Sequence, residues 1–247
     1  MLTPSAHDIV RIWELGQDKP DWYQAMLILA AAFPECAHAE LAEVPLGLRN
    51  HYLFALRARI IGQRLDACVN CPKCQQALEF SLNVSDLCAE PPPSLPAPAT
   101  AALALTVDGI ALRVRLPSSR DLEAIGRLAR LDHPARDLAC RCIASARFDQ
   151  DLLAPDELDD EVLDAVSAHL AAHDPLAGQR LSFDCNACGH GWSSVFDIIS
   201  FFWTELSGRA QRLLGEVHLI ASNYGWRESD ILRMSAVRRQ RYLDLLA

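Results

Sequence analysis

Two Cys-x-x-Cys pairs constrain this chain more than any other feature of its sequence. The first, "CPKC", holds Cys71 and Cys74, and the second, "CNAC", holds Cys185 and Cys188. Strand-like stretches flank each pair, as in "QALEFSLNV" and "QRLSFDC", so each pair is expected in the turn of a β-hairpin. Two such turns, or knuckles, facing one another form a zinc ribbon, in which four thiolates complete a tetrahedron around the ion. We therefore predict one structural Zn²⁺ bound by these four cysteines.

The first knuckle offers a choice of ligands, because "CVNCPKC" places Cys68, Cys71 and Cys74 at equal spacing. Pro72 shapes the turn between the last two, which favours Cys71 and Cys74 as the ligands. A redox pair would open a helix after a strand, and neither knuckle has that pattern. A closed four-thiolate site leaves no coordination position for water, which argues against catalytic zinc. The other cysteines lack partners at ligand spacing and are expected to be small buried side chains: Cys36, Cys88, Cys140 and Cys142.

The two knuckles are separated by 110 residues, so the chain between them is predicted to be an insertion in the ribbon. It begins with the Pro-rich segment "AEPPPSLPAPATAA", residues 89–102, which is expected to be exposed and mobile. A β-hairpin turning at Asp108-Gly109 follows, since this dipeptide favours a type I′ turn. Helices are then predicted near 119–131, 135–147 and 155–172.

The whole chain is predicted to be α+β and mainly α-helical. Its apolar spacing indicates helices before the first knuckle and after the second. In the last long helix an apolar face is predicted, formed by Leu206, Ala210, Leu213, Leu214, Val217 and Ala221. Ser235 is a candidate N-cap of the final helix. The predicted regions are an N-terminal helical region 1–64, a split ribbon of 65–88 and 179–200, the linker 89–102, an inserted hairpin with helices 103–178, and a C-terminal helical tail 201–247.

Composition and motifs argue against several function classes. The net charge of −9 gives no overall attraction to nucleic acid or anionic membrane. The longest apolar run, "AMLILAAAF", is too short to span a bilayer. The start "MLTPSAHDIV" lacks the basic and apolar regions of an export signal, so a cytoplasmic location is expected. The sequence has no G-x-S-x-G and no phosphate-binding loop, and "HLAAH" lacks the Glu of a metalloprotease motif, so we predict no enzymatic activity.

The C-terminal tail is a candidate partner-binding surface. It carries six of the chain's 17 aromatic residues and several Arg, the residue types that dominate interface hot spots. The candidate contact residues are Trp226, Arg238, Arg239, Arg241 and Tyr242. An alternative is that the tail aromatics fix its helices to the rest of the fold. A zinc-ribbon adaptor that binds nucleic acid through "RRQR" is the alternative function, although this patch is short and lacks interleaved aromatics.

Several long stretches resemble the baseplate assembly proteins of contractile tails, which are related to the T4-type hub assembly proteins of phages and phage-tail-like injection systems. The most specific are "CPKC", "CNACGHGW" and "EVHLIASNYGWRESDILRMSAVRRQRYLDLL". The resemblance implies a non-enzymatic structural or assembly role in a tail particle. It implies other baseplate or tail proteins as partners. With the charge and the motifs above, we expect no small-molecule substrate, nucleic acid or membrane as a partner. One departure is visible, because Gln75 stands where such knuckles usually have Gly.

Overall fold

The computed structural model describes residues 1–95, 102–127 and 133–246. These residues form an α+β fold with eleven α-helices and with eight strands in three antiparallel sheets. The N-terminal part consists of α1 (Ala6–Gly16), α2 (Asp21–Ala32), α3 (His38–Ala42) and α4 (Leu46–Ile60). The first ribbon half follows with β1 (Arg64–Asn70), β2 (Ala77–Asn83) and α5 (Val84–Leu87).

The insertion contains β3 (Leu103–Val107), β4 (Ile110–Val114), α6 (Ser119–Gly126), α7 (Pro134–Cys142), β5 (Ile143–Phe148), β6 (Asp151–Leu153) and α8 (Asp160–His173). The second ribbon half is the hairpin of β7 (Arg180–Asp184) and β8 (Gly191–Val195). The chain continues with α9 (Ile198–Tyr224), α10 (Glu228–Arg233) and α11 (Ala236–Asp244).

The N-terminal and C-terminal helices pack together around one hydrophobic core. Helix α2 is apolar over most of its circumference and buries Ile28 and Leu29 completely. Helix α9 faces it with the apolar stripe expected from its sequence, in which Leu206 and Leu213 are fully buried. The α9 N-cap is Asp197, whose carboxylate accepts the Ile199 N–H at 2.9 Å. The two ends of the sequence therefore form one helical body.

The insertion has its own hydrophobic core beneath a four-stranded sheet of order β3-β4-β5-β6. Leu112 and Val114 project from one face of β4 onto α7 and α8. The predicted turn is present, with φ of 48° at Asp108 and 80° at Gly109, as a type I′ turn requires. The helix predicted over 135–147 ends earlier than expected. Residues from Ile143 onward instead form β5, because the open edge of β4 offers them ladder hydrogen bonds.

Several contacts tie the insertion to the helical body. The Asp174 carboxylate accepts the Gly47 N–H at 2.9 Å in the first turn of α4, where a negative charge favours the helix dipole. A Cβ at Gly47 would lie 1.7 Å from Asp174 Oδ1, so this approach requires glycine. Nearby, Leu46 donates its N–H to the Pro117 carbonyl at 2.9 Å. The base of the insertion is thus joined to the start of α4 by buried hydrogen bonds.

Asp121 is the main buried charge of the insertion, since its side chain is 1% exposed. Arg115 donates to both of its carboxylate oxygens at 2.7 Å, and Arg141 lies 3.3 Å from one of them. Burial by itself would raise the pKa of Asp121. Hydrogen bonds from Arg115 and from the Ser118 backbone outweigh this effect and lower the pKa below its ordinary value of 3.8.

The Pro-rich segment lies partly outside the described residues, at 96–101. Its first part follows the surface of the helical body and is held there. The Tyr52 hydroxyl donates to the Ser94 carbonyl at 2.8 Å, and the amino group of Met1 donates to the Pro93 carbonyl at 2.7 Å. Most side chains of residues 89–95 are exposed as expected, but Pro91 is buried. This part of the segment is a bound strap and not a free linker.

Candidate metal centre

The two Cys-x-x-Cys turns have the same backbone geometry, although they lie in separate hairpins. In the first, Cys71 donates its N–H to Gln76 O at 2.9 Å, and Gln75 donates to Cys71 O at 2.9 Å. In the second, Cys185 donates to His190 O at 3.0 Å, and Gly189 donates to Cys185 O at 2.8 Å. The residue after the second cysteine is left-handed in both turns, with φ of 60° at Gln75 and 67° at Gly189. Gln75 in place of glycine therefore leaves the turn geometry unchanged, but its backbone adopts a left-handed conformation that glycine prefers.

The fold brings the sulfur atoms of Cys71, Cys74, Cys185 and Cys188 together, all within 4.8 Å of one another. Across the two hairpins, Cys71 Sγ lies 3.8 Å from Cys188 Sγ, and Cys74 Sγ lies 3.6 Å from Cys185 Sγ. A tetrahedral ion with metal–sulfur bonds of about 2.3 Å requires sulfur–sulfur distances of about 3.8 Å. The set is thus able to hold one metal ion. Among the described residues it is the one cluster of three or more His, Cys, Asp or Glu side chains able to do so.

The thiols of this cluster differ in acidity. Burial acts to raise the pKa of Cys185, but hydrogen bonds from the backbone N–H groups of Cys188 and Ala187 outweigh it and lower the pKa to about 7. At Cys74 a backbone hydrogen bond at Gln76 acts to lower the pKa. Desolvation and the neighbouring thiols prevail there and raise it to about 12. Without an ion, the thiols of Cys74 and Cys185 therefore do not ionise together, and a bound cation would favour the thiolate form of both.

The ribbon has little hydrophobic core of its own. Of the residues in β1, β2, β7 and β8, only Leu65 is buried. The two halves touch through Phe80 and Phe183, whose ring centroids are 5.0 Å apart, but both rings are only half-buried. Within the cluster Cys71 is fully buried and Cys185 is 2% exposed, whereas Cys74 and Cys188 are exposed. A ribbon with so few buried side chains depends on another source of stability.

Arg57 of α4 positions the ribbon on the helical body, a role that no motif of the sequence predicts. Its guanidinium donates to both carboxylate oxygens of Glu205 in α9, at 2.8 and 2.6 Å. It also donates to the carbonyls of Gly62 and Arg64 at 2.6 Å, where the chain enters β1. Its side chain is 2% exposed. The available signal was its spacing, because Arg57 lies one helical turn after the buried Leu53, on the side of α4 that faces the core.

The candidate partner residues of the tail divide into two groups. Trp226 and Tyr242 pack edge-to-face with centroids 4.8 Å apart and contact the helical core together with Tyr224. Arg239 is 2% exposed, and it donates to Glu216 at 2.7 Å and to the Met234 carbonyl at 2.6 Å. These three side chains hold α11 against α9. Arg238 and Arg241 are exposed and remain accessible to a partner.

The remaining cysteines lie apart from the cluster. Cys68 lies in β1 opposite Glu79 and is exposed. Cys142 is buried in the core of the insertion, as expected, while Cys36, Cys88 and Cys140 are half-buried. Each knuckle thus contributes its own two cysteines to the cluster.

A family model described as the T4 bacteriophage base plate protein matches residues 17–203. The match includes both ribbon halves, the insertion between them and the start of α9. The chain belongs to this family. The family indicates a structural protein of the baseplate that interacts with other baseplate or tail proteins within a phage tail particle. No curated protein and no solved structure matches the chain.

No helix in 1–95, 102–127 or 133–246 combines the length and apolar character needed to cross a bilayer.

Proposed function

We propose that this family member is a non-enzymatic structural or assembly protein of a contractile tail or injection-system baseplate, and that it acts through protein–protein contacts on a scaffold stabilised by zinc. Cys71, Cys74, Cys185 and Cys188 are the proposed ligands. The family match over residues 17–203 carries the baseplate role. The convergence of four sulfur atoms from two distant hairpins supports the metal.

The choice of Zn²⁺ follows from the donor set and from the ribbon around it. Four thiolates in a tetrahedron are the usual ligands of structural zinc, and a closed set gives the ion no site for substrate. Structural zinc contributes apparent binding free energies of about 10–16 kcal/mol in small finger peptides. A ribbon whose strands bury only Leu65 is the kind of element that such an ion would stabilise.

The partner role is tested by expressing the tagged chain in a host that produces the tail particles. Mass spectrometry of purified particles and of assembly intermediates should detect the chain together with baseplate proteins. Detection in intermediates but not in finished particles would assign it a transient assembly role. Its absence from both would contradict the proposal, and retention on nucleic acid in a salt-dependent shift would favour the adaptor function instead.

The metal is tested independently by elemental analysis of the purified full chain. We expect one equivalent of zinc per chain. Iron in the same amount would keep the site but change the ion, because four thiolates also bind iron. Well under one equivalent of either metal, after purification without chelator, would refute a structural metal site.

A further inference from the structure

A basic cleft lies on the surface of the helical body, between its N-terminal and C-terminal helices. Its volume is about 580 Å³, and the start of α1, the end of α4, the middle of α9 and the α10–α11 connection surround it. Four Arg side chains line it, namely Arg59, Arg209, Arg233 and Arg239, and no Asp or Glu is among its lining residues. This is a local concentration of positive charge in a chain whose net charge is −9.

The four Arg differ in how strongly they are paired with acidic residues of the protein itself. Arg239 is paired with half-buried Glu216 at 2.7 Å, and Arg59 lies 3.0 Å from exposed Glu90. Arg233 lies 4.0 Å from Asp230, at the limit of an ion pair, and its side chain is 80% exposed. Arg209 forms no ion pair or side-chain hydrogen bond with any residue that the structure describes. Arg209 and Arg233 are therefore the charges available to a ligand.

Other parts of the lining favour the same ligand charge. Helix α11, with its N-cap Ser235, begins at the cleft and has no acidic residue in its first turn, so the positive end of its dipole adds to the Arg charges. Helix α1 also begins there, but Asp8 in its first turn already offsets its dipole. The rest of the lining is largely apolar, and its accessible apolar residues include Ile60, Met234 and Ala236. The cleft thus combines sites for carboxylates with apolar contact surface.

We propose that this cleft binds a short segment of a partner protein that carries acidic and apolar side chains. The proposal rests on the proposed function, since the partner is taken to be another baseplate or tail protein. Charge complementarity selects an acidic segment, and the apolar part of the lining selects a polypeptide over a simple anion. Of the lining residues only Arg59 and Ile60 fall within the family match at 17–203, so the cleft belongs mainly to the parts of this chain outside that match.

The binding test uses a fluorescein-labelled peptide of alternating Glu and Leu with the full-length protein in fluorescence anisotropy. Binding should weaken as salt rises, because screening reduces attraction between exposed charges. The double variant Arg209→Glu/Arg233→Glu should weaken it about tenfold or more, since it replaces attraction by like-charge repulsion. The matched control is Arg113→Glu/Arg147→Glu, which makes the same charge change on exposed side chains of β4 and β5. It should leave the affinity within about twofold.

Zinc content and circular dichroism verify that each variant is folded. If Arg209→Glu/Arg233→Glu does not fold, Arg209→Gln/Arg233→Gln replaces it, and a smaller loss of peptide affinity is expected. No binding of the peptide to the wild-type chain, or equal losses in both double variants, would overturn the proposal. So would tighter binding of a labelled oligonucleotide through the same Arg.

A second readout separates this proposal from the proposed function. Incorporation of the wild-type chain into tail particles tests the baseplate role alone. If the wild type is incorporated and the cleft variant is lost while the control variant is retained, the cleft is the docking site. If all three are incorporated equally, the cleft proposal is wrong and the baseplate role stands.

Discussion

Gln75 offers the most direct test of how the first knuckle is built. It occupies the left-handed region with φ of 60°, at the position where the second knuckle has Gly189 with φ of 67°. Its side chain gains little in return, because its one hydrogen bond, to the Pro72 carbonyl, is 3.5 Å long. Replacing it with glycine should therefore relieve backbone strain without removing a significant contact.

The magnitude follows from two opposing effects. A left-handed conformation costs an L-residue about 1–2 kcal/mol. Glycine loses about 0.5–1 kcal/mol more conformational freedom when the turn becomes ordered. The difference leaves Gln75→Gly about 0.5–1 kcal/mol more stable in the folded turn. The reverse change, Gly189→Ala, should destabilise the second turn by a similar amount. No atom lies within 4 Å of a Cβ added there, so the effect would be purely conformational.

Zinc affinity, measured by competition with a chelator, is the appropriate assay, because a ribbon with so small a core is expected to order with its ion. Gln75→Gly should bind zinc about two- to fivefold more tightly than the wild type, and Gly189→Ala two- to fivefold more weakly. The control is Gln76→Gly, since the adjacent Gln76 is not left-handed and should lose affinity on gaining flexibility. If Gln75→Gly and Gln76→Gly shift affinity in the same direction, the strain argument is refuted.

Three further predictions concern the cluster and the buried ion pairs. Cys71→Ser should abolish zinc binding in elemental analysis while Cys68→Ser keeps the full equivalent; the opposite pattern would reassign the ligand. Arg57→Met should lower the free energy of unfolding by about 2–3 kcal/mol in urea titrations. This is less than the loss expected for a fully buried ion pair, because the carboxylate of Glu205 is 25% exposed. Removing the exposed Arg59–Glu90 ion pair should lower the free energy of unfolding by at most about 1 kcal/mol in the same assay. The lowered pKa of Asp121 stabilises the fold above pH 3.8, and this contribution should be lost as the pH falls through the folded-state value. Asp121→Asn should lack this contribution to stability at neutral pH. Identical acid-unfolding curves for the variant and the wild type would show that Asp121 does not contribute it.

The sequence was sufficient where the physical signal is local. A Cys-x-x-Cys turn, an Asp-Gly hairpin and a 3–4 apolar spacing each depend on residues only a few positions apart. The Asp108-Gly109 turn, the buried face of α9 and the Ser235 N-cap were therefore predicted correctly. The approach of the two knuckles could also be expected, because neither alone has enough ligands for a tetrahedral ion.

The sequence was insufficient where a distant segment decides the local structure. Residues 143–148 have no strong strand pattern and become β5 because β4 presents an unpaired edge to them. The roles of Arg57 and Arg239 likewise depend on Glu205 and Glu216, which lie on α9 far along the chain. The aromatic residues of the tail pack within the fold, which is one of the two interpretations that the sequence allows. Composition alone does not show whether Trp226 packs internally or binds a partner.

The position of the ribbon explains why an ion would join segments so far apart. Both connections between the helical body and the insertion pass through it, one through β1 and β2 and the other through β7 and β8. An ion bound across them closes a loop of more than 100 residues, and constraints that close long loops restrict the unfolded chain most. The insertion is also held by the Asp174–Gly47 hydrogen bond, and each body has its own core. Loss of the ion should therefore release the ribbon, while both cores and the contacts between the insertion and α4 persist.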